Sequence, residues 1–159
     1  MAAKESTGKV KLPDTNLLVY SVNASSPFHS VAASWLSSAF AAPGGIAFAW
    51  NALIGFVRVA THPHVMAAPL SVGDATLMVD EWLSHPRATL VNPGAHHANV
   101  LFKLLLQCGT AGNLTNAAHL AALAVEHAAC VGTFDLDFLK FKGVQIELLT
   151  QPDSSKTSS

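Results

Sequence analysis

The chain has 159 residues, of which 50% are apolar and 12% are charged, which excludes a disordered protein and fits one domain with a substantial core. The formal charge of −1 excludes a broadly basic nucleic-acid coat protein, so any contact with RNA requires a local patch. No apolar run reaches the ~20 residues needed to span a bilayer, and residues 1–11 lack an apolar leader, so we expect a cytoplasmic protein without a membrane partner.

Short apolar runs alternate with longer helical patterns along the chain. A serine cap followed by proline or by an acid predicts helix starts at Ser26-Pro27 and at Ser71. In chain order, the patterns predict strands at 10–12, 46–48, 88–91, 130–134 and 144–149, and helices at 15–23, from 26 onward, and at 50–60, 71–84, 94–107, 115–128 and 136–141. Because the strands are mainly apolar, the alternation predicts an α/β fold whose parallel sheet is covered by helices on both faces.

Two aspartates directly follow predicted strands. Asp14 follows the first strand, and Asp135 follows the strand at 130–134. Parallel sheets place their sites beyond the carboxyl ends of the strands, so these two carboxylates are expected to converge there. Carboxylates without nearby histidine or cysteine suit Mg²⁺ or Mn²⁺, which can activate water for attack on a phosphodiester. Asp14 and either acid of Asp135-x-Asp137 also suit simple helix N-caps, and the pattern alone leaves both interpretations open.

Several short motifs occur in a fixed order over residues 10–150. They include Leu12-Pro13-Asp14-Thr15-Asn16, Trp50-x-x-Leu53-x-x-Phe56-x-Arg58-Val59, Gly112-Asn113-Leu114, His119-Leu120-Ala121-Ala122 and Thr133-Phe134-Asp135-Leu136-Asp137-Phe138. In this order they resemble the VapC-type toxins of the PIN-domain ribonuclease family. The resemblance implies a single PIN domain at 10–150, with flexible ends at 1–9 and 151–159.

The resemblance also implies a fold, an activity and partners. The fold would be a three-layer α/β/α sandwich around a central parallel sheet. The activity would be that of a Mg²⁺- or Mn²⁺-dependent endoribonuclease acting on structured RNA such as tRNA or ribosomal RNA. The partners would be an antitoxin of the VapB type and a second copy of the chain, and the apolar helix carrying Leu101, Leu104 and Leu105 is a candidate for either interface.

Carried over by position, the family pattern assigns roles to five residues present here, and Arg58 is a further candidate. Asp14 and Asp135 would hold the metal ion, and Asp137 would support them in catalysis. Asn16 and Thr133 would lie beside the acids as hydrogen-bonding neighbours. Arg58 suits a phosphate contact and an ordinary surface ion pair equally well.

The chain departs from the family pattern at Ala117. The family has Asp-Ala-His where this chain has Ala117-Ala118-His119, and the missing aspartate is a metal ligand. Asn116 is the neighbouring position, but a shift of one residue turns a side chain by ~100° around the helix, so we do not expect it to substitute. We therefore expect the chain to be nearly inactive, through either an engineered change or natural decay. The wider family often has a glutamate near Arg58, and Gly55 is the closest position here.

Other classes of protein remain as alternatives at this point. A non-catalytic PIN-like module would bind RNA or an antitoxin without cleavage. A phosphatase or phospho-receiver is disfavoured because Asp14-Thr15-Asn16 lacks a second acid. A zinc site at His62-x-His64 or His96-His97 lacks the usual set of four ligands. The two cysteines, Cys108 and Cys130, are expected to be buried free thiols.

Overall fold

A computed structural model of the protein describes residues 9–152. Its five strands form one parallel sheet in the order β3-β2-β1-β4-β5. The strands are β1 (Val10–Pro13), β2 (Ile46–Ala49), β3 (Ala88–Val91), β4 (Ala129–Thr133) and β5 (Ile146–Leu148). The parallel sheet predicted from the sequence is thereby confirmed.

Six α-helices and two short 3₁₀ helices cover this sheet. The α-helices are α1 (Thr15–Val22), α2 (His29–Ala41), α3 (Trp50–Ala60), α4 (Val72–Ser84), α5 (His97–Cys108) and α6 (Thr115–Glu126). The 3₁₀ helices are Gly112–Leu114 and Leu136–Lys140. Within the described residues, none of these helices combines the length and apolar character that crossing a membrane requires.

The core consists of two apolar clusters, one on each face of the sheet. In β2, Ile46 and Phe48 pack with α1 to α4, whereas Ala47 and Ala49 pack with α5 and α6. This alternation follows from the opposite directions of successive side chains in a strand. All four side chains are fully buried, as expected for a strand with helices on both faces. The expected three-layer α/β/α architecture is confirmed.

Several predicted boundaries differ from the observed ones. Helix α2 begins at His29, so the start predicted at Ser26-Pro27 was wrong. The Ser26 hydroxyl oxygen accepts a hydrogen bond from the Phe28 backbone N–H at 3.1 Å, and the Ser26 carbonyl accepts one from the His29 N–H at 3.1 Å. Ser26 therefore forms a turn ahead of the helix. Strand β4 ends at Thr133, which leaves Phe134 outside the sheet.

The register of the central strands positions the two aspartates. Strands β1 and β4 are neighbours, and Pro13 is paired with Gly132. The backbone N–H of Asp14 continues this ladder with a 2.9 Å hydrogen bond to the Gly132 carbonyl. Gly132 has no room for a side chain, because a Cβ there would lie within 2.7 Å of three ring atoms of Trp35. Close packing of α2 on β4 thus accompanies the register that brings the two strand ends together.

The remaining expectations concern the cysteines and the ends of the chain. Both cysteines are free, as predicted. Cys130 is buried, and burial together with the nearby Glu147 raises the pKa of its thiol to about 11. Cys108 is only partly buried. The flexible ends expected at 1–9 and 151–159 lie mostly outside the described residues and stay a prediction.

Candidate active site

A cleft of about 210 Å³ opens where β1 and β4 end. It brings together seven of the positions discussed from the sequence, namely Asp14, Asn16, Gly55, Arg58, Asn116, Ala117 and Asp135. The full lining is Asp14, Thr15, Asn16, Asn51, Gly55, Arg58, Val59, Asn113, Asn116, Ala117, Asp135 and Phe138. Thr133 lies beneath this lining, and Asp137 lies to one side. The convergence of carboxylates predicted by the strand-end rule is therefore observed.

Asp14 is both an N-cap and a member of the cleft. Its Oδ1 accepts a 2.8 Å hydrogen bond from the Thr15 backbone N–H at the start of α1. Its Oδ2 accepts a 2.9 Å hydrogen bond from the Thr133 hydroxyl. Burial raises the pKa of Asp14, and the nearby Asp135 carboxylate adds to this, while the hydrogen bonds from Thr133 and Thr15 oppose it. The N-cap interpretation is therefore confirmed for Asp14, while its role in binding a cation stays a prediction.

Asp135 is held by a similar local arrangement. Its Oδ1 accepts a 2.9 Å hydrogen bond from the Asp137 backbone N–H, which makes Asp135 the N-cap of the following 3₁₀ helix. Its own backbone N–H donates to the Thr133 hydroxyl oxygen at 3.0 Å. Thr133 is completely buried. Its single hydroxyl group contacts both acidic residues, through the hydrogen bonds to Asp14 Oδ2 and from the Asp135 N–H. This geometry supports the expected position of Thr133 as a hydrogen-bonding neighbour of the acids.

Asp137 lies apart from the other two acids. Its carboxylate accepts from the Lys140 ammonium group at 2.9 Å, and this hydrogen bond raises the pKa of Lys140. The side chain of Asp137 is 42% exposed and is not part of the cleft lining. A catalytic role for Asp137 stays a prediction, and its observed contact is an ion pair at the surface.

Ala117 lies in the cleft, in the first turn of α6. Its methyl group offers no oxygen to a cation at this position. Asn116 also lines the cleft, together with Asn113 from the preceding 3₁₀ helix. The cleft thus includes two successive positions of the helix, and the expectation that Asn116 does not replace the missing ligand stays a prediction.

Asn51 is a cleft residue that the sequence analysis missed. It lies in the first turn of α3, and its Oδ1 is buried without a hydrogen-bond partner among the described residues. Such an orphaned buried acceptor is costly unless something binds it. Asn51 closely follows β2, and a search of all strand ends for amides as well as acids would have found it.

Gly55 lies one helical turn after Asn51, at the position closest to the glutamate of the wider family, and it has no side chain that could replace that acid. A Cβ at Gly55 would lie 2.7 Å from Oγ1 and 2.9 Å from Cγ2 of Thr15. The close packing of α3 on α1 therefore leaves no room for a side chain there. Beside Arg58, the polar group that α3 places in the cleft is the amide of Asn51.

Arg58 lies where the acid cleft meets a second groove. It is exposed, and it lines both the acid cleft and a largely apolar groove of about 440 Å³ between α3 and α4. Among the ion pairs of residues 9–152, none involves Arg58. The interpretation of Arg58 as one half of a surface ion pair is therefore not supported, and its guanidinium remains available to the cleft.

The donor set of the cleft suits a hard cation. Two carboxylates and the orphaned carbonyl oxygen of Asn51 are the ligand type that Mg²⁺ and Mn²⁺ prefer. Mg²⁺ commonly binds through one or two carboxylates and keeps several waters. The residues present are therefore of the type that binds such an ion. Within residues 9–152, no group of three or more His, Cys, Asp or Glu side chains could hold a metal ion.

Comparison with solved structures shows which fold this is. The fold is similar to that of VapBC2 from Rickettsia felis bound to a DNA fragment from their promoter, with a TM-score of 0.61 and 19% identity over 87% of this chain and 98% of that one. It is also similar to FitAcB from Neisseria gonorrhoeae, with a TM-score of 0.56 and 17% identity over 86% and 96% of the two chains.

Comparison of sequences identifies the family. The PIN domain family matches residues 11–144. Ribonuclease VapC37 of Mycobacterium tuberculosis is 43% identical over 136 residues, which cover 86% of this chain and 94% of that protein. Ribonuclease VapC33 of the same organism is 39% identical over 130 residues, which cover 82% and 91% of the two chains. The acid cleft at the strand ends, the fold and these relatives agree, and the chain belongs to the PIN-domain family as a VapC-type toxin.

Proposed function

We propose that this chain is a metal-dependent endoribonuclease toxin whose cation site lacks one ligand, at Ala117. The observation that carries the proposal is the presence of Ala117 in the same cleft as Asp14 and Asp135. The relatives named as ribonucleases support the activity class. Structured RNA such as tRNA or ribosomal RNA is the substrate class that we infer from the family resemblance.

The residues of the cleft have separable tasks in this proposal. Asp14, Asp135 and Asn51 would hold Mg²⁺ or Mn²⁺, which when bound would supply an activated water and offset negative charge at the phosphodiester. Thr133 keeps the Asp14 carboxylate in one orientation through its 2.9 Å hydrogen bond. Arg58 is placed to contact a phosphate from the α3 side of the cleft.

The proposed impairment follows from charge. An aspartate at position 117 would add a third carboxylate to the pair formed by Asp14 and Asp135, and a site with fewer anionic oxygens attracts a cation less strongly. We infer that this chain binds the ion weakly and cleaves RNA slowly.

Two partners and a location complete the proposal. The solved relatives include VapBC2 and FitAB, whose names denote pairs of proteins, and we propose a VapB-like antitoxin as the partner of this chain.

A homodimer is proposed through α5, but not through the residues first expected. Leu104 is buried in the core, and Leu101 and Leu105 are partly buried, whereas Phe102 and Leu106 are the exposed apolar side chains. A cytoplasmic location likewise remains a proposal.

The test is to restore the missing acid. Ala117→Asp and the unchanged chain are compared for cleavage of tRNA and ribosomal fragments in Mg²⁺, in Mn²⁺ and in EDTA. Ala117→Asn is the matched control, because it has nearly the same size and no charge. We expect cleavage only with Asp and a metal ion.

Two results would count against the proposal. Rapid metal-dependent cleavage by the unchanged chain would contradict the proposed impairment at Ala117. A lack of cleavage by both forms on all of these RNAs would contradict the nuclease assignment and favour a non-catalytic module that binds RNA or an antitoxin.

A further inference from the structure

A second cleft, of about 640 Å³, adjoins the acid cleft. Asn16 and Asp135 line both clefts, so the two are adjacent. The second cleft extends from these residues past Tyr20, Phe28 and Phe134 toward Gln151. Its volume lies within the ~300–1,000 Å³ that small-molecule sites occupy.

The wall of this cleft is a cluster of three aromatic rings, formed by Tyr20, Phe28 and Phe134. The ring centroids lie 4.9 Å apart for Tyr20 and Phe28, 5.2 Å for Tyr20 and Phe134, and 5.1 Å for Phe28 and Phe134. These are the distances of favourable aromatic pairs, so each ring is held by the other two. All three side chains are only partly buried, and the cluster therefore presents aromatic surface to the cleft.

The elements that place these rings also place the acids. Asn16 and Tyr20 are four residues apart on α1 and share one face of the helix, separated by ~6 Å along its axis. Phe134 lies between the buried Thr133 and Asp135. Tyr20 and Phe134 are thus fixed to the backbone segments that carry the carboxylates, and Phe28, just before α2, packs against both of these rings.

We propose that the aromatic cluster is a nucleobase subsite, which takes an unpaired nucleotide of the RNA next to the phosphodiester to be cleaved. This inference rests on the proposed function, since it assumes that the acid cleft receives RNA. Base stacking on aromatic side chains is a general way of holding single-stranded RNA, and it requires a base that is free of its own helix.

The charges around the second cleft favour a base over a phosphate. Asp135 lies at the junction of the two clefts and repels an anionic phosphate, whereas a neutral base carries no such penalty. The side-chain amides of Asn16 and Gln151 can both donate and accept hydrogen bonds at a base edge. The phosphate itself would lie toward Arg58, on the other side of the acid cleft.

The subsite can be tested directly because Tyr20 is the only tyrosine in the chain. Replacing tyrosine with 3-fluorotyrosine gives a single ¹⁹F resonance that belongs to the ring cluster. The unchanged Ala117 chain is titrated in Mg²⁺ with a mixed-sequence single-stranded RNA and with its blunt duplex, and the RNA is checked for integrity afterwards. We expect the single strand to shift the resonance and the duplex to leave it in place.

Variants test the same subsite by affinity. Phe28→Leu is expected to weaken binding of the fluorescein-labelled single strand about tenfold, as loss of one stacking contact would, and Phe28→Tyr is expected to restore most of it. Leu77→Ala on α4 is the control, because Leu77 is 57% exposed and lies outside both clefts. Thermal melts of all variants show whether each is folded.

The outcomes separate this inference from the proposed function. One outcome overturns only the subsite. In it, Ala117→Asp cleaves RNA, but RNA does not shift the Tyr20 resonance and Phe28→Leu binds RNA as tightly as the parent. If RNA shifts the resonance but no form cleaves, the subsite stands and the nuclease assignment fails. A resonance that responds to the antitoxin and not to RNA assigns the cleft to the protein partner and overturns the inference.

Discussion

The hydroxyl group of Thr133 donates a 2.9 Å hydrogen bond to Oδ2 of Asp14. The same oxygen accepts a 3.0 Å hydrogen bond from the backbone N–H of Asp135. One buried hydroxyl at the end of β4 therefore links the acid that follows β1 to the acid that follows β4. The distance between the two carboxylates depends on this residue as well as on the sheet.

Replacement of Thr133 by valine is expected to destabilise the protein and to raise the pKa of Asp14 further. Valine keeps the shape but removes the hydrogen bond to Oδ2, which leaves a partly buried carboxylate with one partner fewer. The expected loss is ~1–3 kcal/mol in the free energy of unfolding, measured by urea denaturation at neutral pH. Thr133→Ser retains the hydroxyl and is expected to lose clearly less. A larger loss for serine than for valine would show that the methyl group, and not the hydrogen bond, is what matters.

The strand-end rule accounts for how much of the site could be predicted. Asp14 and Asp135 were found from the sequence because an acid directly after a buried strand is visible in a linear pattern. Asn51 occupies a comparable position but is uncharged, so a search for carboxylates passed over it. Asn116 also lines the cleft, beside Ala117, which the helical-wheel argument did not predict.

The elements of the fold were predicted more completely than their ends. Within residues 9–152, the apolar patterns located the five strands and six α-helices, because residues that are buried in the core are mostly apolar. The start of α2 was misplaced because a serine turn and a serine cap have the same sequence signature. The contact of Phe134 with Tyr20 and Phe28 joins three distant segments, and no local pattern contains it.

Gly55→Ala is expected to destabilise the protein, although alanine is usually the better helix former. The new Cβ would lie 2.7 Å from Oγ1 of Thr15, so α1 and α3 would have to move apart. We expect a loss of ~1–3 kcal/mol, the usual effect of overpacking, in urea denaturation. Gly73→Ala in the first turn of α4 is the control. Its nearest neighbour would be 3.9 Å away, and a small gain is expected there. A gain at Gly55 would contradict the close packing described for α1 and α3.

Asn51→Asp is expected to make the stability of the chain more dependent on Mg²⁺. A third acid near Asp14 and Asp135 adds repulsion in EDTA, and a bound cation offsets that repulsion. We expect a lower Tm than the parent in EDTA and a larger rise on adding Mg²⁺, on the order of 2–4 °C for each kcal/mol gained.

The control for Asn51→Asp is Asn51→Leu, which keeps the approximate size but removes the oxygen. Because the Oδ1 of Asn51 has no hydrogen-bond partner among the described residues, leucine is expected to cost little stability in EDTA. It should also abolish any response of the parent to Mg²⁺. A Mg²⁺ response that is the same in all three chains would show that position 51 does not contact the ion.

A histidine pair between α5 and α6 is expected to make the protein sensitive to mild acid. The Nε2 of His97 and the Nδ1 of His119 lie 2.9 Å apart, and the Nδ1 of His97 contacts the Glu126 carboxylate, which also accepts from the Gly94 N–H. Burial lowers the pKa of His119, and the neighbouring His97 lowers it further, against an opposing effect of Glu126. If Nε2 of His97 and Nδ1 of His119 were both protonated, two donors would face each other.

The sign of the pH effect follows from the direction of that shift. A histidine whose pKa is lower in the folded state than its ordinary 6.5 favours folding only while it is neutral. Its contribution is therefore complete above pH ~6.5 and is lost as the pH falls through the lower folded-state pKa. The slope from one proton cannot exceed ~1.4 kcal/mol per pH unit. Glu126 has a lowered pKa, despite its burial, because His97 and Gly94 donate to it, and its own contribution is lost only below 4.5.

The measurement is the free energy of unfolding at several pH values between 5 and 7.5. His119→Asn removes the titrating ring and keeps a polar group near the position of Nδ1, and we expect its stability to change less over this range than that of the parent. His64→Asn, in an exposed loop, controls for the loss of any one histidine and should retain the slope of the parent. If both variants retain the full slope, the acid sensitivity arises elsewhere and the pair between α5 and α6 is not its source.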